Sequence, residues 1–170
     1  MVSVVLTRRR SPFLTLSACL LYTSKDVLLK ISGLHYAMME DTEESEPIEV
    51  ITPASYYLKN GKHYVIYEEV VEGIPGTIKN KIRMTGDGVL EIMKSGIADA
   101  HMVFEKGKIH AFSYETPYGE LSMGIFTRDM IFTEEENRMT IAVNYELDIN
   151  GEKASDCDIH IEIKAKKIEQ

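Results

Sequence analysis

From Asp26 onward, apolar and polar residues alternate with a period of two rather than 3.6. The clearest run is Met139, Ile141, Val143, Tyr145, Leu147 and Ile149, interleaved with Thr140, Ala142, Asn144, Glu146 and Asp148. Successive side chains of a β-strand point to opposite faces, so this run predicts a strand with one buried face and one mostly polar face. Ile159, Ile161 and Ile163 against His160, Glu162 and Lys164 repeat the pattern, as do Val27, Leu29 and Ile31 and the tyrosine-rich run 55–69.

Turn chemistry separates the runs. Asn60-Gly61 and Asn150-Gly151 are strong hairpin signals, because both central residues of a type I′ turn need positive φ. Gly86-Asp87-Gly88, Lys106-Gly107-Lys108 and Pro117-Tyr118-Gly119 are weaker turns of the same kind, and Glu134–Arg138 closes another. Strands are therefore predicted over 26–36, 47–59, 62–71, 76–85, 88–95, 99–106, 108–116, 119–133, 139–149 and 152–165. One segment is ambiguous. Leu90, Met93 and Ile97 also lie at helical spacing behind a capping Asp87, but Gly88 and Gly96 leave under two turns, too short to hold alone. Short turns between neighbours predict an antiparallel meander, which must close or fold over to hide its edges. The expected fold is all-β, an antiparallel up-and-down barrel of about 8–10 strands, whose interior is either packed solid or holds one small ligand.

Composition adds a boundary. The chain has 170 residues and a formal charge of −8, with 27 acidic and 19 basic residues. Residues 1–24 contain three arginines and no acid, so the remainder carries 16 basic against 27 acidic residues, a charge of −11. Residues 1–24 are expected to be foreign to the domain or an unstructured leader. A secretory signal is the third reading, weakened by the short apolar stretch between Arg10 and Cys19. A single barrel domain is expected over 25–167, with a tail over 168–170. An acidic chain repels a phosphate backbone, and no run of about 20 consecutive apolar residues offers a transmembrane helix, so neither nucleic acid nor membrane is expected as a partner. Cys19 and Cys157 form no metal-binding spacing and no disulfide framework.

Several stretches carry a family resemblance: KDVLLKISGLH at the start, PIEVITPASYYLKNGKHYVIYEE with Tyr67-Glu68-Glu69, Gly73, the basic strand TIKNKIRMT and MKSG. The strand ending at Phe104 and Gly107, then Tyr114-Glu115-Thr116-Pro117-Tyr118-Gly119, and finally Tyr145-Glu146-Leu147 complete it. Together, over about 25–167, they resemble the YwiB-like family of uncharacterised bacterial proteins. The resemblance implies a calycin-like, lipocalin-like barrel, and it implies no catalytic residues. One departure is Lys94, where the pattern is expected to carry arginine; lysine keeps the charge but loses the planar, five-donor fork.

Motifs for chemistry are sparse. His35, His63, His101, His110 and His160 form no H-x-H or H-E-x-x-H arrangement. Cys157 lies between Asp156 and Asp158, whose charges disfavour a thiolate. The acidic run 40–46 lacks the alternating ligand spacing of a calcium loop, and Gly73–Gly76 precedes no helix. Lys79, Lys81 and Arg83 share one strand face, either an anion-recognition strip or a solvated face. The suggestive feature is a supply of tyrosines and ionisable residues beside apolar ones. A ligand pocket needs an apolar lining with a few orienting polar groups, and tyrosine offers both. The candidate lining is Tyr67, Glu69, Arg83, Tyr114 and Thr116. The expected function is a cytoplasmic, non-catalytic small-molecule-binding barrel without metal or cofactor. The alternatives are a filled barrel acting as a structural or protein-interaction module, and an enzyme of unassigned class.

Overall fold

The computed structural model describes residues 25–33, 49–97, 99–116 and 119–166; the expected leader, the acidic run 40–46 and the tail 168–170 lie outside them. The strands are β1 Lys25–Ser32, β2 Glu49–Lys59, β3 Lys62–Val70, β4 Thr77–Met84 and β5 Val89–Gly96. They continue as β6 Ala100–Glu105, β7 Ile109–Thr116, β8 Gly119–Glu134, β9 Arg138–Ile149 and β10 Glu152–Ala165. No helix occurs among the described residues, and hence none long and apolar enough to cross a membrane.

All ten strands form one antiparallel sheet in the order β6-β5-β4-β3-β2-β1-β10-β9-β8-β7. Each strand lies beside its chain neighbour, except at one place, and β1 pairs with β10 along Val27–Ser32. The result is a nearly closed up-and-down barrel. Its seam lies between β6 and β7, where the Glu115 N–H donates to the Asp99 carbonyl at 3.4 Å in a single bridge. Within the β6–β7 turn, the Gly107 N–H donates to the Thr127 carbonyl at 2.8 Å, so the seam end leans on β8.

The two predicted Asn-Gly turns have the required geometry: φ is 52° at Asn60 and 72° at Gly61, and 52° at Asn150 and 85° at Gly151. The ambiguous segment is strand β5. Leu90 and Ile92 point into the core, and full pairing with β4 and β6 supplies the hydrogen bonds that a two-turn helix could not hold.

Inward positions of every strand meet in one apolar core that includes Val27, Leu29, Val65, Ile82, Ile92, Phe104, Ile125, Ile141 and Ile161. Phe104 meets Tyr145 edge-on, with ring centroids 5.1 Å apart and planes at 75°, the geometry favoured by the ring quadrupoles. Two bulges reset the alternation, one between Thr127 and Asp129 on β8 and one between Lys153 and Ser155 on β10. After the first, the inward-facing series passes from Met123, Ile125 and Thr127 to Met130 and Phe132.

Candidate functional site

The core is not apolar throughout. Across β3, β4 and β5, Tyr67 stands opposite Asn80, and Asn80 stands opposite Lys94. All three occupy inward positions and are buried, so a phenol, an amide and an ammonium form one rung inside the barrel. The next rung toward the barrel end, where the β3–β4 turn lies, begins with Glu69 opposite Ile78. Lys94 Nζ reaches across β4 to Glu69 Oε2 at 3.3 Å; the lysine side chain is 2% exposed and the glutamate 20%. Glu69 thus stands nearer the rim and Lys94 deeper. Tyr114 approaches from β7, across the seam.

Electrostatics follow from this placement. Burial lowers the Lys94 pKa to about 8, against the opposing pull of the Glu69 charge and its hydrogen bond. Burial pushes the Tyr114 hydroxyl up, and the nearby Glu69 carboxylate adds to the shift. Asn80 Nδ2 donates to the Ile78 carbonyl at 3.3 Å, while its Oδ1 is buried and accepts from no described residue.

Of the residues selected from sequence, Tyr67, Glu69 and Tyr114 meet here. Arg83 does not. On β4 the inward positions are Ile78, Asn80, Ile82 and Met84, so strict alternation turns Arg83 to the outer face. There it ion-pairs with Glu91, opposite it on β5, and stands opposite Tyr64, which stacks on Tyr57 at 4.7 Å. Thr116 ends β7 with its backbone paired to Gly119, and its side chain lies outside the described part. Asn80 and Lys94 were missed as lining. The signal for Asn80 was its place in the apolar set of β4. For Lys94, it was an alternation with Leu90 and Ile92 that continues inward.

Other chemistry-bearing groups are dispersed. Toward the opposite end of the barrel, the Tyr56 hydroxyl and His63 Nδ1 are 2.9 Å apart, and the His63 ring lies 5.6 Å from Phe132. Burial lowers the His63 pKa, partly offset by Glu134. His110 pairs with Glu105 at 3.3 Å and His101 lies 3.7 Å from Glu91, so the two imidazoles serve different carboxylates. Cys157 is buried, with Ser155 Oγ 3.2 Å from its sulfur. Among the described residues no group of three His, Cys, Asp or Glu could hold a metal ion. An open groove on the outer face is lined by Asp129, Ile131, Asn144, Asp158 and His160. Its acids already have partners, Lys106 at 2.7 Å for Asp129 and Asn144 Nδ2 at 2.7 Å for Asp158.

Comparison with known proteins agrees with this architecture. An uncharacterized β-barrel protein of Bacillus subtilis strain 168, YwiB, is 26% identical over 117 residues, spanning 69% of this chain and 80% of that protein. The crystal structure of the ywiB protein from Bacillus subtilis superposes with a TM-score of 0.68 at 20% identity, covering 85% of this chain and 94% of the other. At that identity the superposition speaks to the fold alone. The model of one family, described as a domain of unknown function, matches residues 34–161, three quarters of the sequence. This chain belongs to that family, DUF1934.

Proposed function

We propose that this chain is a cytoplasmic, non-catalytic binding barrel of calycin-like design, which seats a small molecule against Lys94, Glu69, Asn80, Tyr67 and Tyr114. The observation that carries the reading is the almost fully buried Lys94 ammonium, inside the barrel beside Asn80 and tied to Glu69. Taking an ion pair out of water costs several kcal/mol, and well-packed apolar residues in its place are often at least as stable. A polar cluster in an apolar interior, with a displaced pKa, marks a ligand seat better than it marks a packing device. Its members orient a ligand by hydrogen bonds and charge pairing.

The surface fits a water-facing exterior. Ion pairs ring the outer face, including Lys30–Glu49, Arg128–Glu146 and Arg138–Glu162, while the apolar residues face inward, the reverse of a membrane barrel. The unpaired, buried Cys157 suits a reducing compartment. The most exposed large apolar residues described fall into two groups, Ile51 and Val70 on the neighbouring β2 and β3, and Ile109 and Ile131 on β7 and β8, which lie apart in the sheet and so form no single docking patch.

The test is a ligand-observed NMR screen of a metabolite-sized panel against the full chain and its Lys94→Met variant. Compounds that bind the wild type and lose binding in the folded variant support the proposal. A panel without binders, or binders indifferent to the substitution, would overturn it.

A further inference from the structure

We infer, resting on the binding reading above and deepening it, that the head group seated at this cluster is uncharged and donates a hydrogen bond: an alcohol, a primary amide or a ring N–H, not a carboxylate or phosphate. Two independent features point there.

The first is charge. Lys94 and Glu69 lie 3.3 Å apart and cancel. No further charged side chain stands on their rungs, whose remaining described members are Tyr67, Asn80, Ile78, Ala100 and Gly96. An incoming anion would leave a net negative charge in a low-dielectric interior and would compete with Glu69 for the ammonium. An incoming cation would do the reverse. Against this pair, a neutral head leaves the balance intact.

The second is the acceptor on Asn80. This residue is 1% exposed, and its amide orientation is set by Nδ2 donating to the Ile78 carbonyl; a flipped amide would press oxygen against oxygen. Oδ1 therefore looks elsewhere, buried and without a described donor. A buried acceptor without a donor is costly, and a ligand O–H or N–H removes the cost. Carboxylate oxygens, ionised at neutral pH, offer only lone pairs to it, as do the oxygens of a fully ionised phosphate. Because Asn80 lies in register between Tyr67 and Lys94, a donor on Oδ1 also stands beside the other polar groups of the rung. The adjoining inward rung, Val65, Ile82, Ile92 and Met102, is apolar, so the rest of the ligand is expected to be hydrocarbon-like.

The experiment compares three probes of one chain length, octanamide, 1-octanol and octanoate, titrated into the full chain at pH 7 by ligand-observed NMR. The expected result is that octanamide and octanol bind at least about tenfold more tightly than octanoate, and that Asn80→Leu removes most of that preference. Octanoate binding as tightly as octanamide overturns this inference while leaving the binding reading standing. Failure of all three probes counts against the binding reading itself, and the inference falls with it. If Asn80→Leu does not fold, the ranking on the wild-type chain still decides.

Discussion

Lys94 makes a thermodynamic prediction with a definite sign. Its pKa is about 8 in the folded barrel against 10.5 for an ordinary lysine. Between those values the unfolded chain holds a proton that the folded chain has released, so unfolding takes up a proton and stability rises with pH. Over that interval, at about 1.4 kcal/mol per pH unit, the gain is about 3 kcal/mol. Other groups titrate nearby. Burial raises the Tyr56 and Tyr145 hydroxyls above their ordinary value, which makes stability fall above about pH 10 as the unfolded tyrosines ionise. Those contributions are common to the wild type and to Lys94→Met, a change close to volume-conserving, and cancel in the difference. Urea unfolding followed by circular dichroism at intervals from pH 7 to 10.5 measures it. The wild type should gain on the variant by about 3 kcal/mol, nearly all of it above pH 8. A difference that stays flat across the range would mean that Lys94 titrates like a surface lysine, and would refute its burial in the barrel.

Further outcomes follow from the packing. Phe104→Ala, which opens the core beside Tyr145, should cost about 3–5 kcal/mol, read from the urea midpoint. Tyr56→Phe deletes the contact to His63 Nδ1 and should cost about 1 kcal/mol. His63, lowered by burial, should titrate below 6.5 in an NMR pH series. The stability that it contributes as a neutral ring is present above 6.5 and is lost as pH falls through its folded pKa. At Gly96, where φ is 123°, a Cβ would overlap the Thr77 carbonyl oxygen, whereas at Gly107, with φ of 80°, it meets open space. Gly107→Ala should therefore cost only about 1 kcal/mol and Gly96→Ala clearly more, compared by thermal melting.

The strands were legible because an alternating pattern has one structural solution when one face must be buried, as in Met139–Ile149, and because Asn-Gly pairs tolerate the turn geometry that few residues accept. Segment 89–96 was not settled locally: Leu90, Met93 and Ile97 satisfy a helix as well, and only pairing with β4 and β6 decides. The bulges at Thr127–Asp129 and Lys153–Ser155 leave no local mark, since each is a mismatch between two strands. Nor does a meander indicate where its ring stays open, here between β6 and β7. At the site, Tyr67, Glu69 and Tyr114 were recognisable as polar groups on apolar strands. Arg83 was misplaced although its own strand's alternation already turned it outward, opposite in sense to Asn80. Lys94 stood out only as a departure from the family pattern. Its partner lies 25 residues away, and no local pattern links the two.

The most direct test of the central claim is a native mass spectrum of the full chain purified without denaturation, recorded beside Lys94→Met. The account predicts a reproducible added mass on the wild type that disappears on denaturation and is absent or much reduced in the folded variant. An added mass retained equally by the variant would place the ligand away from the Lys94–Glu69 cluster and contradict the account.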